Sequence, residues 1–139
     1  ATIQRYNHTL HLIASQQIDI NDCHLMLLAA GAAFTASHDT VSAVSAAGTL
    51  EVSGNGWPVG GALLVPNFSV VDTDGAMIDF ADVSVNAVGG GIGPSSFALI
   101  YQGTFPLWFA TYSDPQTAGI GTPMNFTFHA DGLARINDA

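Results

Sequence analysis

The stretch that decides the fold is the apolar run at residues 23–30, which reads Cys-His-Leu-Met-Leu-Leu-Ala-Ala and ends at Gly31. A short, continuous apolar run that is closed by a glycine is typical of a strand buried on both faces of a sheet. We therefore expect residues 23–30 to form an interior strand.

Short helices are expected on both sides of this run. In residues 4–15, Tyr6, Leu10 and Ile13 follow the i, i+4, i+7 spacing of one helix face, whereas the alternation expected of a strand is less clean. This spacing favours a helix of three turns. Near residues 37–44, Ser, His and Asp precede two valines, so a short helix or turn is expected there as well.

From residue 49 onward, short runs rich in Val, Ile, Phe, Tyr and Trp alternate with Gly, Pro, Asn and Asp clusters. Residues 72–75 (Asp-Thr-Asp-Gly) and 130–132 (Ala-Asp-Gly) are typical of hairpin turns. The pattern predicts a mainly β fold, an antiparallel β-sandwich or barrel-like domain with a short N-terminal helix. The predicted strands are 49–53, 60–65, 67–72, 76–80, 83–88, 96–102, 106–113, 123–129 and 132–137.

The length of 139 residues predicts a single mostly-β domain over 1–139, with residues 1–20 as a candidate N-terminal arm or helix. Lysine is absent, and Arg5 and Arg135 stand against eleven carboxylates, which gives a net charge of −9. This balance argues against nucleic acid and against an anionic membrane surface as partners, because both attract Lys and Arg.

The chain is 48% hydrophobic, which favours a globular domain over disorder despite the low charge. So few surface charges favour an assembled state over a free monomer. Cys23 is the single cysteine, so the chain forms no internal disulfide. The longest apolar run is too short to span a bilayer, and no export signal is recognisable, so we expect a soluble protein.

The sequence contains no clear phosphate-binding or catalytic motif. The glycines at 54, 56, 60, 61, 89, 90, 91 and 93 match no phosphate-binding motif, and we interpret them as turn and bulge residues with positive φ. No nucleophile elbow or carboxylate pair meets the positional tests of an enzyme. We therefore expect no catalytic residue, no cofactor and no enzymatic activity.

Two groups of side chains leave a metal ion open as an alternative. Asp72, Asp74, Asp79 and Asp82 fall close together, but the rest of a calcium loop is missing, and turn aspartates explain the cluster equally well. The other group is a histidine-rich start with one thiol, for which ordinary surface and core roles are favoured over zinc. It consists of His8, His11, Cys23 and His24.

Four aromatic residues, Trp57, Trp108, Phe105 and Phe109, admit two interpretations. They could form a platform for a sugar or a partner. Packing in the core of the sandwich is the more frequent use of such residues and is the favoured interpretation.

Residues 54–61 read Gly-Asn-Gly-Trp-Pro-Val-Gly-Gly. They resemble a Gly-Asn/Thr-Gly-Tyr-Thr-Ala-Gly-Gly stretch of a family of small virion proteins of tailed bacteriophages, from which Trp57-Pro58-Val59 departs. The order of the similar blocks is the most specific feature, and together they cover nearly the whole chain. The further blocks are 24–29, 79–85, 92–101, 106–112 and 126–133.

The resemblance implies a non-enzymatic component of the virus particle. Our first hypothesis is a capsid decoration (cement) protein on the exterior of the head, made in the host cytoplasm. Its partners would be the major capsid protein and further copies of itself in a homotrimer. The alternatives are a minor structural protein of the tail or neck and a surface adhesin that binds host glycans.

Five residues are the candidate interaction residues of these hypotheses. The N-terminal segment through Ile13 would be an arm that reaches a neighbouring subunit, with Arg5, Tyr6, Leu10 and Ile13 as its contact residues. Trp57 would be the exposed aromatic residue of an adhesin.

Overall fold

The computed structural model describes residues 2–66, 69–72, 75–78, 80–128 and 134–137. The fold is mainly β with antiparallel sheets, as the sequence predicts. The elements are β1 (Thr2–Arg5), α1 (Thr9–Ala14), a 3-10 turn (Ile20–Asp22), β2 (His24–Leu28), α2 (Val41–Ser45), β3 (Glu51–Val52), β4 (Ala62–Leu63), β5 (Ser69–Asp72), β6 (Gly75–Ile78), β7 (Val83–Asn86), β8 (Ile92–Gln102), β9 (Phe105–Ala118), β10 (Pro123–Phe126) and β11 (Ala134–Asn137).

The largest sheet has the strand order β1-β9-β8-β2-β3, and β4 pairs with β2 beside β3. All of these pairs are antiparallel. The long hairpin of β8 and β9 lies between β1 on one side and β2 on the other. Because the order begins at β1 and ends at β3, the sheet is open, so the sandwich-like alternative describes the fold and the closed barrel does not.

The interior strand predicted at residues 23–30 is confirmed as β2, which is buried on both faces. Leu25 and Leu27 belong to one hydrophobic cluster, and Met26 and Leu28 belong to a second one. Successive side chains of a strand point to opposite faces, so the two clusters lie on opposite sides of the sheet.

Different parts of the chain cover the two faces. The first cluster is completed by β10, by α1 and by aromatic residues from the loops, including Leu12, Trp57, Phe80, Met124 and Phe126. The second cluster is completed by α2 and the segment around it, including Phe34, Val41, Val44 and Leu50. Burial of apolar side chains on both faces is the main stabilising contribution to this fold.

Each strand predicted from residue 49 onward overlaps an observed strand. β10 alternates buried Met124 and Phe126 with exposed neighbours and pairs with β7, which confirms the predicted half-buried strand. β5, β6 and β11 form a separate antiparallel sheet in which Asp72 pairs with Gly75, as expected of a hairpin. The turn predicted at residues 130–132 lies outside the described residues.

The helix predicted over residues 4–15 is wrong in its first part. Residues 2–5 form β1, which pairs with β9, and α1 begins only at Thr9. The buried face of α1 carries Thr9 and Leu12, whereas Leu10 and Ile13 are half-buried. Pairing with a distant strand overrides the local helical spacing that starts at Tyr6. The short helix or turn expected near residues 37–44 is a short helix, α2.

Buried hydrogen bonds join α1 to the central sheet. The Thr9 hydroxyl is fully buried and donates to the Leu107 carbonyl at 2.7 Å. The same carbonyl accepts the Tyr6 backbone N–H at 3.1 Å, and the His8 Nε2 donates to the Pro106 carbonyl at 2.6 Å. The chain from β1 to α1 is therefore held against β9 by both backbone and side-chain contacts.

We expect Thr9→Val to lower the free energy of unfolding by about 1 kcal/mol, because it removes a buried hydrogen bond while the Leu107 carbonyl keeps one donor. Thr49→Val is the matched control, since the Thr49 hydroxyl donates to the Ala46 carbonyl at an exposed position. Its effect should stay within about 0.5 kcal/mol. Urea denaturation of both variants measures the difference, and equal effects would contradict the role assigned to Thr9.

Candidate interaction surface

The five candidate interaction residues do not form one surface. Arg5 is exposed on the edge strand β1, and Leu10 and Ile13 are half-buried on α1. Tyr6 is 0% exposed and Trp57 is 1% exposed, and they belong to clusters on opposite sides of the sheet. The structure therefore corrects the expected placement of Tyr6 and Trp57, whose side chains are covered by their own chain.

The burial of the aromatic residues follows the core interpretation. Trp57, Trp108 and Phe109 are each 1% exposed, and Phe105 is half-buried against the first cluster. Burial of Tyr6, without a compensating charge, raises the pKa of its hydroxyl above the ordinary value. The four aromatic residues considered for a platform therefore pack in or against the core and do not form an exposed platform.

Cys23 is buried, Asp82 is hydrogen-bonded, and several of the other candidate metal ligands lie outside the described residues. Burial, and secondarily the nearby Asp22 and Asp19, raises the pKa of the Cys23 thiol to about 12. The Asp82 carboxylate accepts the Phe128 backbone N–H at 2.8 Å. Asp74 and Asp79 lie outside the described residues, as does the side chain of Asp72. Within the described part of the chain, no three His, Cys, Asp or Glu side chains converge on one point.

The described helices are all too short to cross a membrane.

A surface that the sequence analysis did not single out lies where three loops meet. We call it the glycine-rich end and define it as residues 53–61, 87–93 and 119–122. It contains most of the 15 glycines of the chain and no charged residue.

Hydrogen bonds hold the three loops of the glycine-rich end together. The Asn55 carbonyl accepts the Val88 N–H at 2.8 Å, and the Asn55 side-chain amide donates to the Gly91 carbonyl at 2.8 Å. The Ala87 N–H donates to the Thr122 carbonyl at 2.9 Å, and the Gly121 N–H donates to the Ala87 carbonyl at 2.8 Å. The loops therefore form one ordered surface.

Three aliphatic side chains stand out from this surface. Val59 is 81% exposed, Val88 is 68% exposed and Ile120 is 71% exposed. Val88 and Ile120 flank Ala87 and Gly121, which are hydrogen-bonded to each other, so the two side chains lie on neighbouring loops. The pair of exposed aliphatic side chains on an uncharged surface makes this end of the molecule a candidate for contact with another protein.

The loop at residues 58–61 is fastened to the sheet at Gly60. The Gly60 N–H donates to the Glu51 carboxylate at 2.6 Å, and the Tyr101 hydroxyl donates to the Gly60 carbonyl. Burial, and then the charges of Glu51 and Asp22, raises the pKa of the Tyr101 hydroxyl, so it stays protonated and remains a donor. Both backbone groups of Gly60 are thus satisfied by side chains of neighbouring strands.

Gly61 is the position where this loop touches the central strand. A Cβ at Gly61 would lie 2.6 Å from the carbonyl carbon of Leu25, and the backbone has a φ of +95°. Only glycine combines this close approach with a positive φ. The interpretation of the clustered glycines as turn residues with positive φ is confirmed at each of them except Gly90 and Gly91.

Comparison of the chain with protein-family models, with curated proteins and with solved structures finds no match.

We expect Gly61→Ala to destabilise the fold more than Gly54→Ala does. Both glycines have a φ of +95°, so alanine at either position carries a similar backbone strain of about 1–2 kcal/mol. A Cβ at Gly54 meets nothing within 4 Å, whereas one at Gly61 overlaps the backbone of Leu25. The overlap should add about 1–3 kcal/mol. Thermal and urea unfolding of the two variants test this, and equal losses would contradict the close approach.

We expect Trp57→Ala to lower the free energy of unfolding by about 3–5 kcal/mol, because it empties a buried site in the first cluster. Val59→Ala, two residues away and 81% exposed, is the control and should change stability by less than about 0.5 kcal/mol. A Trp57→Ala variant as stable as the native protein would show that Trp57 is not a core residue.

Proposed function

We propose that the protein is a non-enzymatic capsid decoration protein of a tailed bacteriophage, which binds the outer surface of the head and stabilises its lattice. The observation that carries the proposal is the glycine-rich end, an ordered, uncharged surface with exposed aliphatic side chains at Val59, Val88 and Ile120. It is the kind of surface by which a small β domain associates with other subunits, further copies of itself included. The family resemblance in the sequence gives the same class of protein.

The charge of the chain agrees with a position outside the capsid. A net charge of −9, with Arg5 and Arg135 as the only cationic side chains other than histidine, gives no surface for binding encapsidated DNA. An exterior protein needs no such contact. The protein would be made in the host cytoplasm and would add to the head there.

The mechanism is stabilisation by binding. A protein that binds the assembled lattice and not its separate subunits shifts the equilibrium toward the lattice. Each contact with the major capsid protein can be weak if several copies bind together, because linked sites raise the effective affinity. A homotrimer of this chain would give such a multivalent unit.

The N-terminal arm belongs to the same proposal in a restricted form. β1 and α1 are bound to β9 of their own chain by strand pairing and by the His8 and Thr9 hydrogen bonds. An arm that reaches a neighbouring subunit would have to leave these contacts. Exposed Arg5, at the edge of the sheet, is the candidate residue that can touch a neighbour without such a rearrangement.

The first test is the copy number of the protein in purified particles, measured by mass spectrometry as a ratio to the major capsid protein. Trypsin can cut only after Arg5 and Arg135, so chymotrypsin is the suitable protease. We expect hundreds of copies per particle, because a decoration protein follows the symmetry of the capsid lattice.

A low or zero count would overturn the decoration role. About a dozen copies or fewer would place the protein in a ring-shaped neck or tail component. Complete absence from particles, with the protein present in infected cells, would remove the virion assignment altogether.

A further inference from the structure

We propose that the glycine-rich end is the surface through which one copy of this chain binds a second copy. This inference supplies the contact surface for the self-association that the proposed function uses. It rests on the geometry and charge of the surface, and it is tested on the isolated protein without a virus particle.

Charge is the first argument for a second copy as the occupant. Two copies that each carry −9 repel one another wherever acidic side chains face each other. No charged residue occurs in residues 53–61, 87–93 or 119–122. The Glu51 carboxylate, which lies beside this surface, already accepts the Gly60 N–H. Contact at the glycine-rich end therefore brings two acidic molecules together without burying an unpaired carboxylate, which would be strongly unfavourable.

The other exposed aliphatic residues lie in a different setting. Leu63 is 59% exposed and Val65 is 62% exposed, at β4 and just beyond it. Leu63 is paired with His24, two residues from exposed Asp22, and Val65 accepts a hydrogen bond from Ala81, next to exposed Asp82. A second copy at this position would meet like charges. Among the exposed aliphatic residues that the structure describes, those of the glycine-rich end are therefore the ones suited to self-association.

The backbone of the glycine-rich end is the second argument. The Val88 N–H donates to the Asn55 carbonyl, and the Asn55 side-chain amide donates to the Gly91 carbonyl. Together with the hydrogen bonds between Ala87 and residues 121–122, these contacts fix the loops before any partner binds. Little conformational entropy is then lost on association. At Gly89 and Gly121, a Cβ would meet no atom of the described residues within 4 Å apart from the adjoining residues. A second backbone can approach closely beside the Val88 and Ile120 side chains.

The test compares exposed aliphatic residues changed to aspartate inside and outside the surface. Val88→Asp and Ile120→Asp place a carboxylate in the glycine-rich end, and Leu63→Asp is the matched control. Each full-length variant is studied by sedimentation velocity and multi-angle light scattering over a concentration series. Circular dichroism checks the fold, which should persist because all three side chains are exposed.

We expect the native protein and Leu63→Asp to associate with the same affinity. Val88→Asp and Ile120→Asp should each weaken association about tenfold or more, because the new carboxylates face each other or an apolar surface. Raising the salt from about 50 mM to about 0.5 M should strengthen association of the native protein, because salt screens the repulsion between the two acidic molecules.

Three results would overturn the inference. The first is a native protein that stays monomeric at every concentration and salt. The second is association that Val88→Asp and Ile120→Asp leave unchanged, and the third is association that Leu63→Asp weakens as strongly as they do. The outcome is separate from that of the particle count, since a protein that self-associates through this surface but is absent from virions would contradict the proposed function alone.

Discussion

The structure depends on one constraint, which is that β2 is buried on both faces. Leu25 and Leu27 must be covered on one side, and Met26 and Leu28 on the other. A half-buried sheet needs one apolar cover, but a strand of this kind needs two. Different elements cover the two faces. β10 and α1 cover the first face, whereas α2 and the segment around it cover the second face. The mixed arrangement of this small domain follows from that requirement.

The same strand fixes the glycine-rich end. Gly61 lies against the backbone of Leu25, so the loop at residues 58–61 packs on the strand that is buried on both faces. Trp57, four residues earlier, is buried in the first cluster and anchors the other end of the segment. Gly60 is held between the Glu51 carboxylate and the Tyr101 hydroxyl. A glycine-rich loop would ordinarily be expected to sample many conformations, but here core contacts at both ends define its shape.

The strands were predictable from the sequence, whereas the start of the chain and the interaction surface were not. The alternation of Met124 and Phe126 and the apolar run of β2 are local signals of burial, and local signals survive folding. β1 has no such signal, because Thr2–Arg5 becomes a strand only by pairing with residues 108–111. Tyr6 then packs in the second cluster and not beside Leu10 and Ile13 on α1, as the helical spacing had predicted. The glycine-rich end joins three segments that are distant in sequence. The sequence shows that each segment is rich in glycine, but it does not show that the three segments lie side by side in the fold.

The scarcity of lysine and glutamate in this chain favours association through the glycine-rich end. Lysine and glutamate lose much side-chain entropy when they are ordered at an interface, and interface centres are poor in both. This chain has no lysine and a single glutamate, Glu51, whose carboxylate is already bound to Gly60 within its own chain. Val88 and Ile120 have few rotatable bonds, and their loops are ordered by backbone hydrogen bonds. The acidic residues of two copies repel one another, and their absence from residues 53–61, 87–93 and 119–122 leaves a region where that repulsion does not oppose contact.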